Sequence, residues 1–192
     1  MRRFLAAFAI LFSTLFLTGG SDLHYVIDAE MNAVRHNNMG LAYLRERYYF
    51  GAIEEFKMAI SLNPNTQASA VYYNNLGRTY VTIGYPEIAE GHFRNAIRKY
   101  PLNFEYYKNL VETYGKQNKL PEMLAYHRKN KKSKLDDITV ALIYGAMGNT
   151  RTEITLLDDF VNTEPNLIII PAIKRHIKEE AEMLNYDEKS YQ

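Results

Sequence analysis

Asn75-Leu76-Gly77-Arg78-Thr79-Tyr80 repeats, 37 residues on, the pattern of Asn38-Met39-Gly40-Leu41-Ala42-Tyr43. The same offset relates Ala52, Phe56, Ala59 and Pro64 to Ala89, Phe93, Ala96 and Pro101. Self-similarity at a fixed period of roughly 20–50 residues marks a stacked-repeat architecture, because one unit cannot bury its own apolar face. The offset reads as a 34-residue repeat with a three-residue insertion around Gln67-Ala68-Ser69, in the connecting loop.

The pattern resembles the tetratricopeptide repeat, a helix-turn-helix unit. That family has a bulky residue, then Leu-Gly, then Tyr in its first helix (A). Ala, an aromatic and a second Ala follow in the second helix (B), with Pro at the exit. His36, Met39, Gly40, Tyr43, Ala52, Phe56, Ala59 and Pro64 occupy these positions in the first unit. Tyr73, Leu76, Gly77, Tyr80, Ala89, Phe93, Ala96 and Pro101 occupy them in the second. Only His36 departs, where a large apolar residue is usual. Gly40 and Ala52 are small where A and B cross, and Tyr43 and Phe56 fill the volume around the crossing. Pro64 and Pro101 cannot continue a helix and so end their units. A bulky residue at Ala52 is expected to overpack the crossing, at about 1–3 kcal/mol.

A weaker third unit starts near Phe104. Leu110 and Tyr114 keep the register, while Val111 replaces the glycine, Met123 the first alanine and His127 the aromatic. Its helix B is therefore expected to be displaced or loosely packed. A fourth unit runs from about Asp136 through Tyr144, Gly148 and Leu157 to Pro165, with Asp136 or Asp137 as N-cap and Gly148-Asn149 as a turn. Tyr114 to Tyr144 is 30 residues, so something between them is shortened. Ile170, Ile173, Ile177, Ala181 and Leu184 then share one helix face, opposite Lys174, Arg175, Lys178, Glu179 and Glu180. Such a helix covers the last apolar surface of an array.

The expected fold is all-α: a right-handed superhelical array of helix pairs with a C-terminal capping helix, the handedness being implied by the resemblance. The expected divisions are a signal peptide at 1–20, a repeat domain at 21–185 and a frayed tail at 186–192. Within the domain, repeats fall at about 33–66, 70–103, 104–133 and 134–165, and the cap at 167–185.

The first twenty residues have the three parts of a secretory signal. Arg2 and Arg3 precede an uncharged apolar run from Phe4 to Leu17, and Thr18, Gly19 and Gly20 follow. Fourteen residues make about 21 Å of helix, short of the roughly 30 Å hydrocarbon core of a bilayer. A buried N-terminal helix is disfavoured because the run is apolar on every face. Cleavage before Ser21 gives an exported, periplasmic or secreted chain and takes the formal net charge from +1 to −1. Leu17-Thr18-Gly19 resembles the start of a bacterial lipobox, whose next residue is a lipidated cysteine. Here it is Gly20, so membrane anchoring is expected only if the natural residue is Cys.

Composition excludes several chemistries. Apolar residues form 47% of the 192, as in globular proteins. A net charge of +1 gives no global field towards nucleic acid. Without cysteine there are no disulfides, thiol nucleophiles or thiolate metal sites. None of His24, His36, His92, His127 and His176 forms a metal-spaced motif. The adjacent pairs Asp136-Asp137 and Asp158-Asp159 point to different helix faces and read as a cap and a solvated turn. With no phosphate loop or nucleophile elbow either, no catalytic residues, metal or cofactor are expected.

By resemblance, helix A lines a concave face. Its outward positions are Asn37, Asn38 and Leu41 in repeat one, Asn74, Asn75 and Arg78 in repeat two, and Lys108, Asn109 and Glu112 in repeat three. Asn38, Asn75 and Asn109 share one repeat position. They read either as an amide ladder that holds an extended peptide backbone or as ordinary solvated side chains. One family subtype clamps a terminal carboxylate. Asn75 fits that pattern, but Leu41, Glu105 and Asn109 stand where it needs asparagine, lysine and arginine. The basic run Arg128, Lys129, Lys131, Lys132 and Lys134 reads as a solvated helix end that complements the dipole, or as a contact for anionic lipid heads or cell-wall polymers. Sparse aromatic interleaving speaks against nucleic acid.

The expected function is a non-catalytic protein-interaction scaffold in the bacterial envelope, similar to pilotin-like proteins and protease-recruiting scaffolds. The first alternative is a self-associating component of an envelope, pilus or secretion assembly, with exposed Tyr72 and Tyr106 as a dimer seam. The second is an enzyme.

Overall fold

A computed structural model of the chain describes residues 28–190, with side chains through residue 185. The signal segment at 1–20 and His24 lie outside the described residues. The described chain is helical throughout its regular structure. It consists of α1 (residues 28–45), α2 (Tyr49–Leu62), α3 (Ala68–Thr82), α4 (Pro86–Lys99), α5 (Phe104–Lys116), α6 (Leu120–Lys129), α7 (Asp136–Ala146), α8 (Thr150–Thr163) and α9 (Ile170–Ser190). It divides into two compact units, one up to Pro64 and one from Asn65.

Four turns, one per helix pair, share a single construction. Arg47, Gly84, Asn118 and Gly148 have φ of 59°, 87°, 57° and 83°. Each is the left-handed residue that commonly ends a helix. The next residue's N–H returns to the carbonyl of the helix-A tyrosine. Tyr48 donates to Tyr43 at 2.8 Å, Tyr85 to Tyr80 at 2.9 Å, Lys119 to Tyr114 at 3.0 Å and Asn149 to Tyr144 at 2.9 Å. Helix B then begins one residue later in every case. Gly84 and Gly148 take this conformation without steric cost, and asparagine tolerates it better than most residues.

In the unit up to Pro64, α1 and α2 cross at Gly40. A Cβ there would stand 2.6 Å from the Phe56 ring, so only glycine permits this approach. Ala52, Phe56 and Ala59 are fully buried. His36 Nδ1 lies 2.6 Å from Glu55 Oε2, a polar contact at the position that departs from the family pattern. Tyr43 meets Tyr48 edge-on at 5.2 Å.

In the unit from Asn65, Gly77 repeats the device, with a Cβ position 2.8 Å from the Phe93 ring. Tyr73 and Tyr80 stack on His92, with centroids 6.2 and 5.4 Å away. One core runs from Phe93 on α4 through Tyr107, Leu110 and Tyr114 on α5 to Ile138 and Ile143 on α7, and on to Leu157, Phe160 and Ile173. In the fourth pair, Leu157 takes the aromatic position and Glu153 the first alanine position.

Helix lengths locate the shortening between Tyr114 and Tyr144. Helices α2, α4 and α8 each have 14 residues, whereas α6 has 10. Helix B of the third pair lacks one turn. Its only buried residue is Met123. His127, at the aromatic position, lies half-buried with Nε2 3.1 Å from the Tyr114 hydroxyl. Burial, joined by the Arg94 guanidinium, holds its pKa below the ordinary histidine value.

Several expectations need correction. Tyr72 and Tyr106 are each only 3% exposed. Tyr106 packs with Ala70 and Ala96, and burial raises its pKa, so these rings offer no exposed seam. Asp136 is the first residue of α7 rather than its N-cap. Its carboxylate turns back to accept from the N–H groups of Lys132 and Ser133 at 2.7 and 2.8 Å. Asp158 and Asp159 lie on the solvent side of α8, not in a turn. Of the inserted residues only Gln67 is in the loop; Ala68 and Ser69 begin α3. The backbone of α9 continues to Ser190, past the expected start of the tail.

Gly40→Ala and Gly77→Ala should each cost about 1–3 kcal/mol in urea unfolding, because an aromatic ring must shift. Gly91 has nothing within 4 Å of its Cβ position, so Gly91→Ala should be neutral or stabilise by about 0.5–1 kcal/mol. Equal losses at all three positions would contradict this account of the crossings. His127 makes a second prediction. Because its folded pKa is depressed, the unfolded chain takes up the proton first. Stability is therefore retained above about pH 6.5 and lost as pH falls through the folded value. In a pH series of unfolding curves, His127→Phe should show a smaller acid-side loss than wild type.

Candidate interaction surface

Within the unit from Asn65, α5 packs against both α3 and α7, so successive A helices lie side by side. Two depressions follow this face. A smaller one, about 160 Å³, is bounded by Arg78 and Thr82 on α3, Phe93 on α4, and Asn109 and Glu112 on α5. A larger one, about 270 Å³, is bounded by Lys108, Val111 and Glu112 on α5, Leu142 and Gly145 on α7, Glu153 on α8, and His176 and Glu180 on α9. Glu112 borders both, which makes the two depressions adjacent parts of one surface.

The charges on this surface are mixed and mostly solvated. Lys108 lies 3.6 Å from Glu105, and Lys116 lies 3.2 Å from Glu112; the two lysines are half-exposed and the two glutamates exposed. Such pairs contribute little to stability. Their side chains remain available for exchange with a partner's charges.

The floor of the larger depression is different. Glu153 is 3% exposed. Its Oε1 lies 2.7 Å from His176 Nε2, and His176 Nδ1 lies 4.0 Å from Glu180. The other helix pairs have alanine or methionine at the position of Glu153. The carboxylate fits because Gly145 has no side chain; a Cβ there would collide with the Glu153 carboxylate. Gly145, Glu153 and His176 therefore form one constellation joining α7, α8 and α9. The sequence reading did not assign it. The signal available was an acidic residue at a repeat position reserved for a small one, with a glycine eight residues earlier.

The residues expected on a concave face separate into two groups. Arg78 and Glu112 are exposed, Lys108 and Asn109 are half-exposed, and all four border the depressions. Asn74 and Asn75 are buried, at 7% and 6% exposure. The Asn109 amide donates to Asn74 Oδ1 at 2.8 Å, so adjacent A helices are linked 35 residues apart rather than 34. The pairing of Asn109 with Asn75 is thus corrected by one residue, and two of these amides serve helix packing. In the other unit, Asn37 is buried, Asn38 is exposed and Leu41 is half-exposed. In the basic run, Lys131 pairs with Asp137 at 2.7 Å and Lys134 with Glu164 at 2.8 Å. Arg128, Lys129 and Lys132 are exposed.

Among the described residues, no three His, Asp or Glu side chains group as a metal site, and no helix is long and apolar enough to cross a membrane.

Gly145→Ala should destabilise the wild-type chain by about 1–3 kcal/mol. It should cost far less in a Glu153→Ala background, where the obstructing carboxylate is gone. A double-mutant unfolding cycle measures the coupling; additive losses would show that the two positions do not share space.

No family model and no curated protein matches the sequence. Solved structures do resemble it. A crystal structure of MamA protein is 18% identical, covers 82% of this chain and 89% of its own, and has a TM-score of 0.49. The second TPR domain of human RPAP3, in complex with an HSP70 peptide, is 20% identical, covers 69% and 97%, and has a TM-score of 0.48. YrrB, described as a TPR protein with an unusual peptide-binding site, is 16% identical, covers 88% and 89%, and has a TM-score of 0.44. On the geometry of its own four helix pairs, with the turn that all four share and the glycine–aromatic crossings of the first two, the described chain has an all-α fold of the tetratricopeptide-repeat type.

Proposed function

We propose that this chain is a non-catalytic interaction scaffold that holds a protein or an extended peptide along the A-helix face of α3, α5, α7 and α9. The observation that carries the proposal is the continuity of the two depressions through Glu112, with Arg78 and Lys108 at their edges. A surface with both signs of charge and apolar ground at Val111 and Leu142 suits a partner segment of mixed composition. Exposed charges of this kind set orientation and association rate more than affinity. The charged-apolar-small pattern of the first twenty residues supports an envelope location as part of the same proposal.

A photo-crosslinking residue at Glu112 should capture a partner from envelope extract, while the same residue at Asp158 on the exposed side of α8 should not. With the crosslinker at residue 112, reversing Arg78 and Lys108 together should lower capture about tenfold or more with the fold retained by circular dichroism. Equal capture from both positions would remove the A-helix face as the binding surface.

A further inference from the structure

The missing turn of α6 leaves a space at its C-terminal end. One helical turn is about 5.4 Å of cover that α2, α4 and α8 provide and α6 does not. Beyond its end lies a cavity of about 310 Å³ between α6, α7 and α8. Val140 on α7 and Leu156 on α8, both half-buried, give it an aliphatic floor. Its rim carries Arg128, Lys131, the Tyr144 hydroxyl and Thr152.

The rim is held in place. The N–H groups of Lys132 and Ser133 both bond the Asp136 carboxylate, which fixes the loop after α6. Asp137, the only acid on the rim, is matched by Lys131. Arg128 has a different partner: its Nη1 donates to the Tyr144 hydroxyl at 3.4 Å, a neutral group. Among the described residues no carboxylate pairs with Arg128. The result is a guanidinium with no carboxylate partner among the described residues, on the rim of a cavity that has an aliphatic floor and is also lined by Tyr144 and Thr152.

We infer that this cavity is a second binding site, separate from the A-helix face, for a peptide segment that presents a carboxylate next to an aliphatic side chain. A guanidinium offers paired N–H donors that match a carboxylate's two oxygens. Val140 and Leu156 would cover the neighbouring aliphatic group. A bare anion would leave that floor unused. A membrane surface would engage the exposed Lys129 and Lys132 and would likewise leave the floor unused, which vesicle competition tests.

The test is fluorescence anisotropy on the full chain with labelled ten-residue peptides alternating glutamate and leucine. One peptide is amidated at its C-terminus, one carries a free C-terminus, and one has glutamine in place of glutamate with an amidated end. The amidated glutamate peptide should bind, and its glutamine counterpart about tenfold more weakly or worse. Arg128→Gln should weaken the glutamate peptide about tenfold, and Arg128→Lys by less, since charge is kept and the fork is lost. Binding of the free-acid peptide alone, still dependent on Arg128, would assign the carboxylate to a chain end. Glu112→Lys on the A-helix face should leave all of this unchanged, so the two surfaces stand or fall separately. The inference is overturned if neither glutamate peptide binds, or if the glutamine peptide or the Arg128→Gln protein binds equally well. It is also overturned if inorganic phosphate or phosphatidylglycerol vesicles displace the peptide, which would assign the site to simple anions or to a membrane.

Discussion

One residue with positive φ ends the first helix of every pair, and the next N–H reaches back to a tyrosine carbonyl. Much of the local architecture follows from that closure. Helix A stops at the same repeat position in all four pairs, and helix B starts at the same position after it. Variation is confined to the far ends: α3 gains residues at its start, and α6 loses them at its finish. With the turn fixed, the crossing point of the two helices is fixed as well. The small residues at Gly40 and Gly77 then become necessary, because aromatic rings from the second helix arrive there.

Much of this could be read directly from residues. The glycine, tyrosine, alanine and aromatic positions of the first two pairs are spelled out in sequence, and each performs a local steric task. The third and fourth pairs were harder because substitution there is compensated elsewhere. His127, in place of an aromatic, bonds the Tyr114 hydroxyl on the facing helix, while Glu153 depends on Gly145 and His176, neighbours on two other helices. Compensation between distant positions leaves no periodic trace. Arg47 and Asn118 hid the repeating turn for a similar reason, since only Gly84 and Gly148 carry its usual residue.

Sequence periodicity assigns residues to helix A but does not decide which of them stay exposed. Of the residues read as outward on helix A, Arg78, Lys108, Asn109 and Glu112 border the two depressions. Choosing among neighbouring asparagines requires the stacking offset between helices, and that is set by packing. Asn109 meets Asn74, which leaves Asn75 inside. The misjudged exposure of Tyr72 and Tyr106 has the same origin: both rings fall on the seam side of their helices, where burial removes them from any partner.

The shortened α6 shows which length changes such an array accepts. Each residue removed from a helix turns everything after it by about 100°, so one, two or three lost residues would swing the exit of the chain away from the next helix. Four bring it round almost to where it began, about 40° past a full circle. The array thus absorbs the loss as a translation and keeps its phase, and α7 still joins the common core. Among these B helices the one change of length is close to a whole turn, and it opens a recess without disturbing the neighbours that frame it.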